Sequence, residues 1–400
     1  MKIAFVLECA NLDTNGTTAS CVRFAKKLHE RGHEVIILGC NYINKENPDY
    51  YVGFEKYKFP VFDRLITKEG FQFVKIDVKK MDAAIKDCDL VHLFLPFKFQ
   101  NIARLLAYYH KIPVTAAFHL QPQNITSSVH LGKAKFINNL LYHSFNQYMF
   151  KWVNHVHCPS EMIKKELERH HYHNTYHVIS NGIIDYWHKV ETKRPEELKN
   201  KFIITMSGRL SDEKRQDLLL KAVSISKYNE KIQIILCGQG PRKAHYERLA
   251  NHLNLANNPI IKFCDREELR KTLSYSDLFV QASDFEIEGI SCIEAFSCGL
   301  VPVISNAKYS ASSDFSLDDR CIFNHGSKKS LKERIEFFYE NPKFLKELGK
   351  KYEENAKKYQ IDKMVDKMEE MFNEAIKEKV VVSRKKDIRK IKKLIKIINK

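Results

Sequence analysis

Two carboxylates, Glu286 and Glu294, bracket seven residues in "EIEGISCIE", between a strand-like run, "DLFVQAS", and a helix-like one, "AFSCG". A helix that starts near Gly289–Ile290 leaves the first amides, those of Gly289, Ile290 and Ser291, aimed at an anion rather than at a backbone carbonyl. Glu286, ahead of that helix, can accept hydrogen bonds from neutral hydroxyls. Glu294, about one and a half turns in, can reach a second set. "MSGRLSDEKRQ" adds cations: Arg209 just after a strand, and Lys214 five residues on, expected in the first turn of the next helix. Two cations and a helix N-terminus converging on one spot make an anion site. Acids for hydroxyls beside cations and amides for phosphate describe a sugar nucleotide. Singly, each has a plainer reading, Glu294 as a helix-face residue and Arg209 and Lys214 as solvated loop charges.

Other turns say less. "CGQGP" places Gly238, Gly240 and Pro241 at a second strand end, which any tight β-α turn could do. "CANLDTNGTTAS" follows the first strand; Gly16 would let backbone approach a ligand, and Thr17 or Thr18 could cap the next helix. No G-x-G-x-x-G follows that strand, so hydride chemistry loses its best support. "DCD" (Asp87, Asp89) mimics a metal-binding Asp-x-Asp but precedes a strand as a loop would, and no metal ligand is assigned. Ten cysteines occur without a C-x-x-C pair; Cys40, Cys158 and Cys237 sit in apolar settings, as reduced core thiols of a cytosolic protein do.

The elements that must position these residues form an α/β pattern. Continuously apolar strands such as "KIAFVLE", "EVIILG", "LVHLFLP", "FIITMSG" and "IQIILCG" alternate with amphipathic stretches such as 17–30, 160–170 and 215–227. Strands apolar on both faces belong to parallel sheets covered by helices. The rhythm breaks at "YWHKVETKRPEELKN". The expectation is two doubly wound domains, 1–190 and 191–378, with ligands at the strand carboxyl ends facing an interdomain cleft. A charged helical region, 328–378, closes the second domain, and 379–400 is a basic tail.

The net charge is +17, and nine Lys/Arg against one acid fall in residues 384–400. Ile388, Ile391, Leu394, Ile395 and Ile398 recur there at helical spacing. A basic face with Arg384, Lys385, Lys386, Lys390 and Lys393, opposite an isoleucine stripe, suits an interfacial helix on anionic lipid; a solvated tail is the plainer alternative. Nucleic acid is disfavoured because the tail has no aromatic residue for base stacking. No apolar run approaches the roughly 18 residues of a spanning helix, so a soluble or peripheral protein is expected.

With these residues in place, the chain resembles retaining GT-B glycosyltransferases of glycosyltransferase family 4. "SGRLSDEK", "CGQGP", "DLFVQASDFEIEGISCIEAFSCGLVPVIS" and "HVISNGI" carry the resemblance through the second half. "NGTTASCVRFAKKLHERGHEV", "VHLFLPF", "FHLQPQNITSSVHLGKAKFINNLL" and "HVHCPSEMI" are similar to the branch holding bacterial cholesterol α-glucosyltransferases and diacylglycerol glucosyltransferases. The resemblance implies that Glu286 contacts the transferred sugar, Glu294 the ribose, and Arg209 and Lys214 the diphosphate. It also implies that His119, otherwise only a strand-end histidine, acts at the reacting sugar. In "NGIID" the acid slips to Asp185, so that residue receives no ligand role.

A sugar–phosphate bond that breaks builds negative charge on the leaving diphosphate, which fixed cations and amides stabilise without a metal or cofactor. No second carboxylate is placed as a nucleophile, so double displacement is unsupported. A UDP-hexose, glucose first, is the expected donor. The acceptor is less legible. "KAKFINNLLYHSFNQYMFKWVN" reads either as core or, with the basic tail, as membrane contact, which points to a diacylglycerol or sterol hydroxyl. That places the protein in the cytoplasm, peripheral on the inner face of the plasma membrane. The rivals are a transferase that extends a surface saccharide and a silent nucleotide-sugar or polyanion binder.

Overall fold

A computed structural model describes residues 1–11, 16–42, 48–58, 72–127, 132, 134–380 and 385–399. Arg384 of the expected basic cluster lies outside the described residues. The chain divides into two compact units, Met1–Ser180 with Ile361–Lys400, and Asn181–Gln360.

The first unit holds strands β1 (Lys2–Val6), β2 (Glu34–Cys40), β3 (Tyr51–Phe54), β6 (Leu90–Leu93), β7 (Val114–Ala117), β8 (His155–Cys158) and β9 (Thr175–Val178). They form one sheet in the order β3-β2-β1-β6-β7-β8-β9, and every pairing in it is parallel. Two short strands, β4 (Lys56–Tyr57) and β5 (Phe73–Val74), pair antiparallel beside it. The strand order reverses between β1 and β6. Buried runs such as Ile3–Val6 and Val114–Ala117 account for the continuous apolarity read from the sequence.

The second unit repeats the scheme with β10 (Phe202–Ser207), β11 (Ile232–Cys237), β12 (Ile260–Lys262), β13 (Leu278–Gln281), β15 (Val301–Ser305) and β17 (Ile322–Phe323), ordered β12-β11-β10-β13-β15-β17. A separate parallel pair joins β14 (Phe285–Glu286) to β16 (Tyr309–Ser310). Side-chain caps start the helices where the sequence offers them: Asp265 accepts from the Glu268 amide, and Ser327 from that of Ser330. The expected helices at 17–30, 160–170 and 215–227 occur as Gly16–Glu30, Glu161–Arg169 and Gln216–Ser224.

The domain boundaries differ from those expected. The second unit ends at Gln360, whose backbone bridges to Ile183 near the unit's start. Residues 361–378, expected in the second domain, return to the first. The reason is the buried face of the Ile361–Lys377 helix, with Met364, Val365, Met368, Met371 and Phe372. Phe372 meets His92 of β6 and Phe5 of β1 edge-on. Arg31 binds Asp366 at 2.6 Å and Glu369 at 2.8 Å across the same contact.

The basic tail is also corrected. Its helix, Lys385–Ile398, lies on the helices Val78–Ile85 and Lys98–Tyr109 of the first unit. Asp387 and Arg104, 2 % and 1 % exposed, pair at 3.0 Å, and Asn101 accepts two further Arg104 bonds. Ile391 of the isoleucine stripe is buried against protein. The tail is therefore docked rather than frayed, because its single acid and one isoleucine face inward together.

Candidate donor-binding site

The reversal of strand order in the second unit falls between β10 and β13, where ligands of doubly wound sheets bind beyond the strand ends. β10 runs into Gly208 and Arg209; β13 runs through Gln281 towards Glu286 on β14. Lys214 and Glu286, 72 residues apart, form an ion pair there. Gln281, the last residue of β13, donates to the same Glu286 oxygen at 3.1 Å. Burial by itself would lower the Lys214 pKa, but the adjacent Glu286 carboxylate outweighs it, so the pKa is raised and the ammonium is held charged.

One local expectation is corrected. Lys214 does not stand in the first turn of the following helix. It ends a short 3-10 turn, Asp212–Lys214; Arg215 then takes a left-handed conformation, φ 59°, and the helix begins at Gln216. Arg215 is held in this bend by Asp217 at 3.0 Å and Asp284 at 3.2 Å. The bend turns Lys214 towards β14 instead of along the helix. Arg209 keeps its place in the loop, where its carbonyl accepts the Gln216 side-chain amide at 2.9 Å.

Gly289 caps the helix Ile290–Ser297 at φ 101°, and a Cβ there would strike the Ser312 hydroxyl. Only glycine fits both demands, so the sharp turn that presents the amides of Ile290 and Ser291 is built into the packing. Glu294 follows in that helix, half-buried. Gly238, expected at the donor, also has a packing role. A Cβ at Gly238 would run into the Gly208 carbonyl, and one at Gly240 into Leu210. The two strand-end loops lie backbone against backbone, with the Leu210 amide bonded to the Gln239 carbonyl at 2.9 Å.

Sequence reasoning passed over Glu288, which is buried and accepts the Asn181 backbone amide and, at 2.7 Å, its side-chain amide. This ties the "SNG" turn to the acidic loop. The signal was present, since Glu288 lies inside "EIEGISCIE", but nothing local marks which of three acids turns inward.

In the first unit, His119 lies beyond β7, buried, stacked on Phe94 at 5.6 Å and edge-on to His157 at 5.2 Å. Burial, then the neighbouring His157 and His92, push its pKa well below the usual histidine range, so the imidazole is neutral. Its Nε2 has no hydrogen-bond partner among the described residues. Gly16 opens the helix Gly16–Glu30, where an added Cβ would meet none of the described residues within 4 Å, and Thr18, instead of capping, donates to the Cys9 carbonyl at 2.7 Å. Beyond β1, Glu8 is buried with Gln100 at 3.2 Å; burial raises its pKa to about 8, against a smaller lowering by that hydrogen bond. Asp89 accepts the Lys2 amide at 2.7 Å, a structural task. All ten cysteines are buried, and none is in a disulfide.

Known proteins match in the same two halves. Residues 14–185 match the family described as Glycosyltransferase Family 4, and residues 189–359 that described as Glycosyl transferases group 1. The α-monoglucosyldiacylglycerol synthase of Acholeplasma laidlawii is 23% identical over 381 residues, 90% of this chain and 93% of that protein. The GDP-mannose-dependent α-mannosyltransferase of Corynebacterium glutamicum is 23% identical over 321 residues, 76% of this chain and 72% of that protein. Among solved structures, Anabaena HepE in complex with UDP-glucose superposes with a TM-score of 0.73 at 15% identity, covering 94% of this chain and 100% of that one; this is a likeness of fold. With both halves matched and both sheets doubly wound, the chain belongs to the group 1 and family 4 glycosyltransferases and has the GT-B fold.

Proposed function

We propose that this glycosyltransferase moves a hexose, glucose first, from a UDP-sugar to the hydroxyl of a membrane lipid, with retention of anomeric configuration. The observation that carries the donor half is the Lys214–Glu286 pair at the strand-order reversal, ahead of the Gly289-capped helix. In this reading Lys214, Arg209 and the amides of Ile290 and Ser291 hold the diphosphate, Glu286 accepts from the hexose hydroxyls, and Glu294 from the ribose. The bond from the anomeric carbon to the diphosphate oxygen breaks as the acceptor oxygen bonds on the same face. The acceptor proton passes to the departing phosphate oxygen. Cations and amides fixed before the reaction stabilise that leaving charge, so the chemistry needs no metal. His119, neutral and with no partner at Nε2 among the described residues, serves by hydrogen bonding rather than as an acid.

The lipid acceptor rests on two kinds of support. The Acholeplasma relative, similar over nearly its whole length, is by its name a synthase of α-monoglucosyldiacylglycerol. On the helix Lys135–Tyr148, Phe136 is 81% and Leu140 57% exposed, one turn apart. Lys390 stands over the Tyr148 ring at 5.9 Å, so the basic helix adjoins this one, and Lys385, Lys386 and Lys393 are exposed on it. Apolar side chains beside lysines suit docking on the anionic cytosolic face of a bilayer. No helix among the described residues is long and apolar enough to cross a membrane.

The test is transfer of labelled sugar into extractable lipid on anionic vesicles carrying diacylglycerol or cholesterol, with UDP-glucose and GDP-mannose as parallel donors. Label in diacylglycerol from UDP-glucose is expected. Hydrolysis of UDP-glucose without lipid label would move the acceptor to a saccharide, and label only from GDP-mannose would overturn the donor. Phe136→Ser with Leu140→Ser, and Lys385→Glu with Lys393→Glu, should each weaken vesicle sedimentation, the second mainly at low salt. Unchanged sedimentation in both would sink the docking.

A further inference from the structure

We infer that His155, His177 and Glu374 form a divalent-metal site of the zinc class, which clamps the Ile361–Lys377 helix to the edge of the first unit's sheet. His155 stands on β8 and His177 on β9, the edge strand. His155 is level with Thr175, and His157 with His177, so the two histidines lie two residues out of register and share one face. Glu374 reaches them from the last turns of the returning helix.

The geometry is that of a ligand triangle. His155 Nδ1 and His177 Nε2 are 2.9 Å apart. Glu374 Oε2 is 3.9 Å from the first and 3.7 Å from the second. A point equidistant from three atoms so spaced lies about 2.1 Å from each, the length of zinc bonds to imidazole nitrogen and carboxylate oxygen. The rival reading is a hydrogen bond between two imidazoles with an acid nearby. It accounts for the 2.9 Å contact, but not for a carboxylate oxygen placed almost equally far from both nitrogens.

The surroundings supply what such sites need. His155 is 4% exposed, and its other nitrogen, Nε2, lies 3.1 Å from Glu378 Oε1. Glu378 is itself held by the Asn154 side-chain amide at 2.7 Å. A carboxylate behind a ligating histidine fixes the ring and keeps the proton on the far nitrogen, which leaves Nδ1 for the metal. Two imidazoles and one carboxylate favour zinc over magnesium or calcium, which prefer all-oxygen shells. Glu374 is 56% exposed, so solvent can complete a tetrahedral shell. The donor residues belong to the other unit, and the ion would take no part in transfer. Its task would be to hold β8, β9 and the C-terminal helix together.

The experiment uses the full chain without a histidine tag, stripped by chelator and titrated with zinc, with cobalt as a spectroscopic stand-in. One zinc per chain, the visible bands of four-coordinate cobalt, and a higher thermal midpoint with zinc are expected. Glu374→Gln, at a mostly exposed position, should lower zinc affinity at least ~10-fold and abolish the midpoint rise while leaving the chelator-treated midpoint unchanged. Glu378→Gln should lower affinity ~10-fold while preserving the cobalt spectrum. No stoichiometric metal in the unaltered chain would overturn the site. So would undiminished uptake in a His177→Gln, Glu374→Gln double variant, which would place the ion elsewhere.

Discussion

Where the second unit's strand order reverses, between β10 and β13, a charged lysine and a glutamate face one another beside a glycine-capped helix. Around the matching reversal of the first unit, between β1 and β6, three of the described titratable groups are buried and uncharged. Glu8 is held as the neutral acid by burial, and His92 and His119 as neutral imidazoles. The same winding thus produces two opposite electrostatic settings. Topology decides where a ligand can bind, and the residues at the strand ends decide its charge. Under the proposed function, the second unit would meet the diphosphate, and the first would suit neutral hydroxyl or apolar chemistry.

The sharpest way to break this contrast is Lys214→Ala. Under the proposed function it removes a fixed charge from beside the leaving group, and it leaves Glu286 without its cation. We expect kcat/KM to fall ~10²–10³-fold, as for loss of one transition-state donor. A loss under ~3-fold would remove Lys214 from the chemistry.

Glu8→Gln probes the other side. The folded pKa of Glu8 is raised to about 8 from 4.5, so between those values the folded chain holds a proton that the unfolded chain has lost. Stability from this group is full below pH 4.5 and declines as pH rises to 8, by up to ~1.4 kcal/mol per pH unit. Glu8→Gln should therefore gain stability over the unaltered chain progressively from pH 5 to 8, read by denaturant melts at each pH. A constant difference across that range would show that Glu8 is ionised in the fold.

The smallest expected effect concerns His119. Because its imidazole is neutral, the pH–rate profile should carry no limb near the ordinary histidine pKa that His119→Gln removes. Such a limb, present only in the unaltered chain, would make His119 a proton donor and erase the contrast between the units.

Much of the second unit was legible because its signals are local. Arg209, Lys214, Glu286 and Gly289 all fall within a few residues of a continuously apolar strand, and such strands announce themselves. The first unit was less legible. His119 has no neighbour in sequence that reveals Phe94 and His157 around it. The isoleucine stripe of 388–398 suggested a lipid face, whereas Ile391 and Asp387 turn towards protein. An amphipathic helix has the same periodicity whichever apolar surface it meets.

From the sequence by itself came the alternation of parallel strands and helices, the two-domain plan, the charge set for a sugar nucleotide and the family it resembles. These follow from short-range spacing, which the chain carries whatever it packs against. Tertiary structure alone decided that Lys214 meets Glu286, that Asp387 is buried against Arg104 from 283 residues away, and that 361–400 fold with the first unit. It alone set His155, His177 and Glu374 around one point. Partners of buried charges and ligands are chosen by the register of distant elements, and no local period encodes that register.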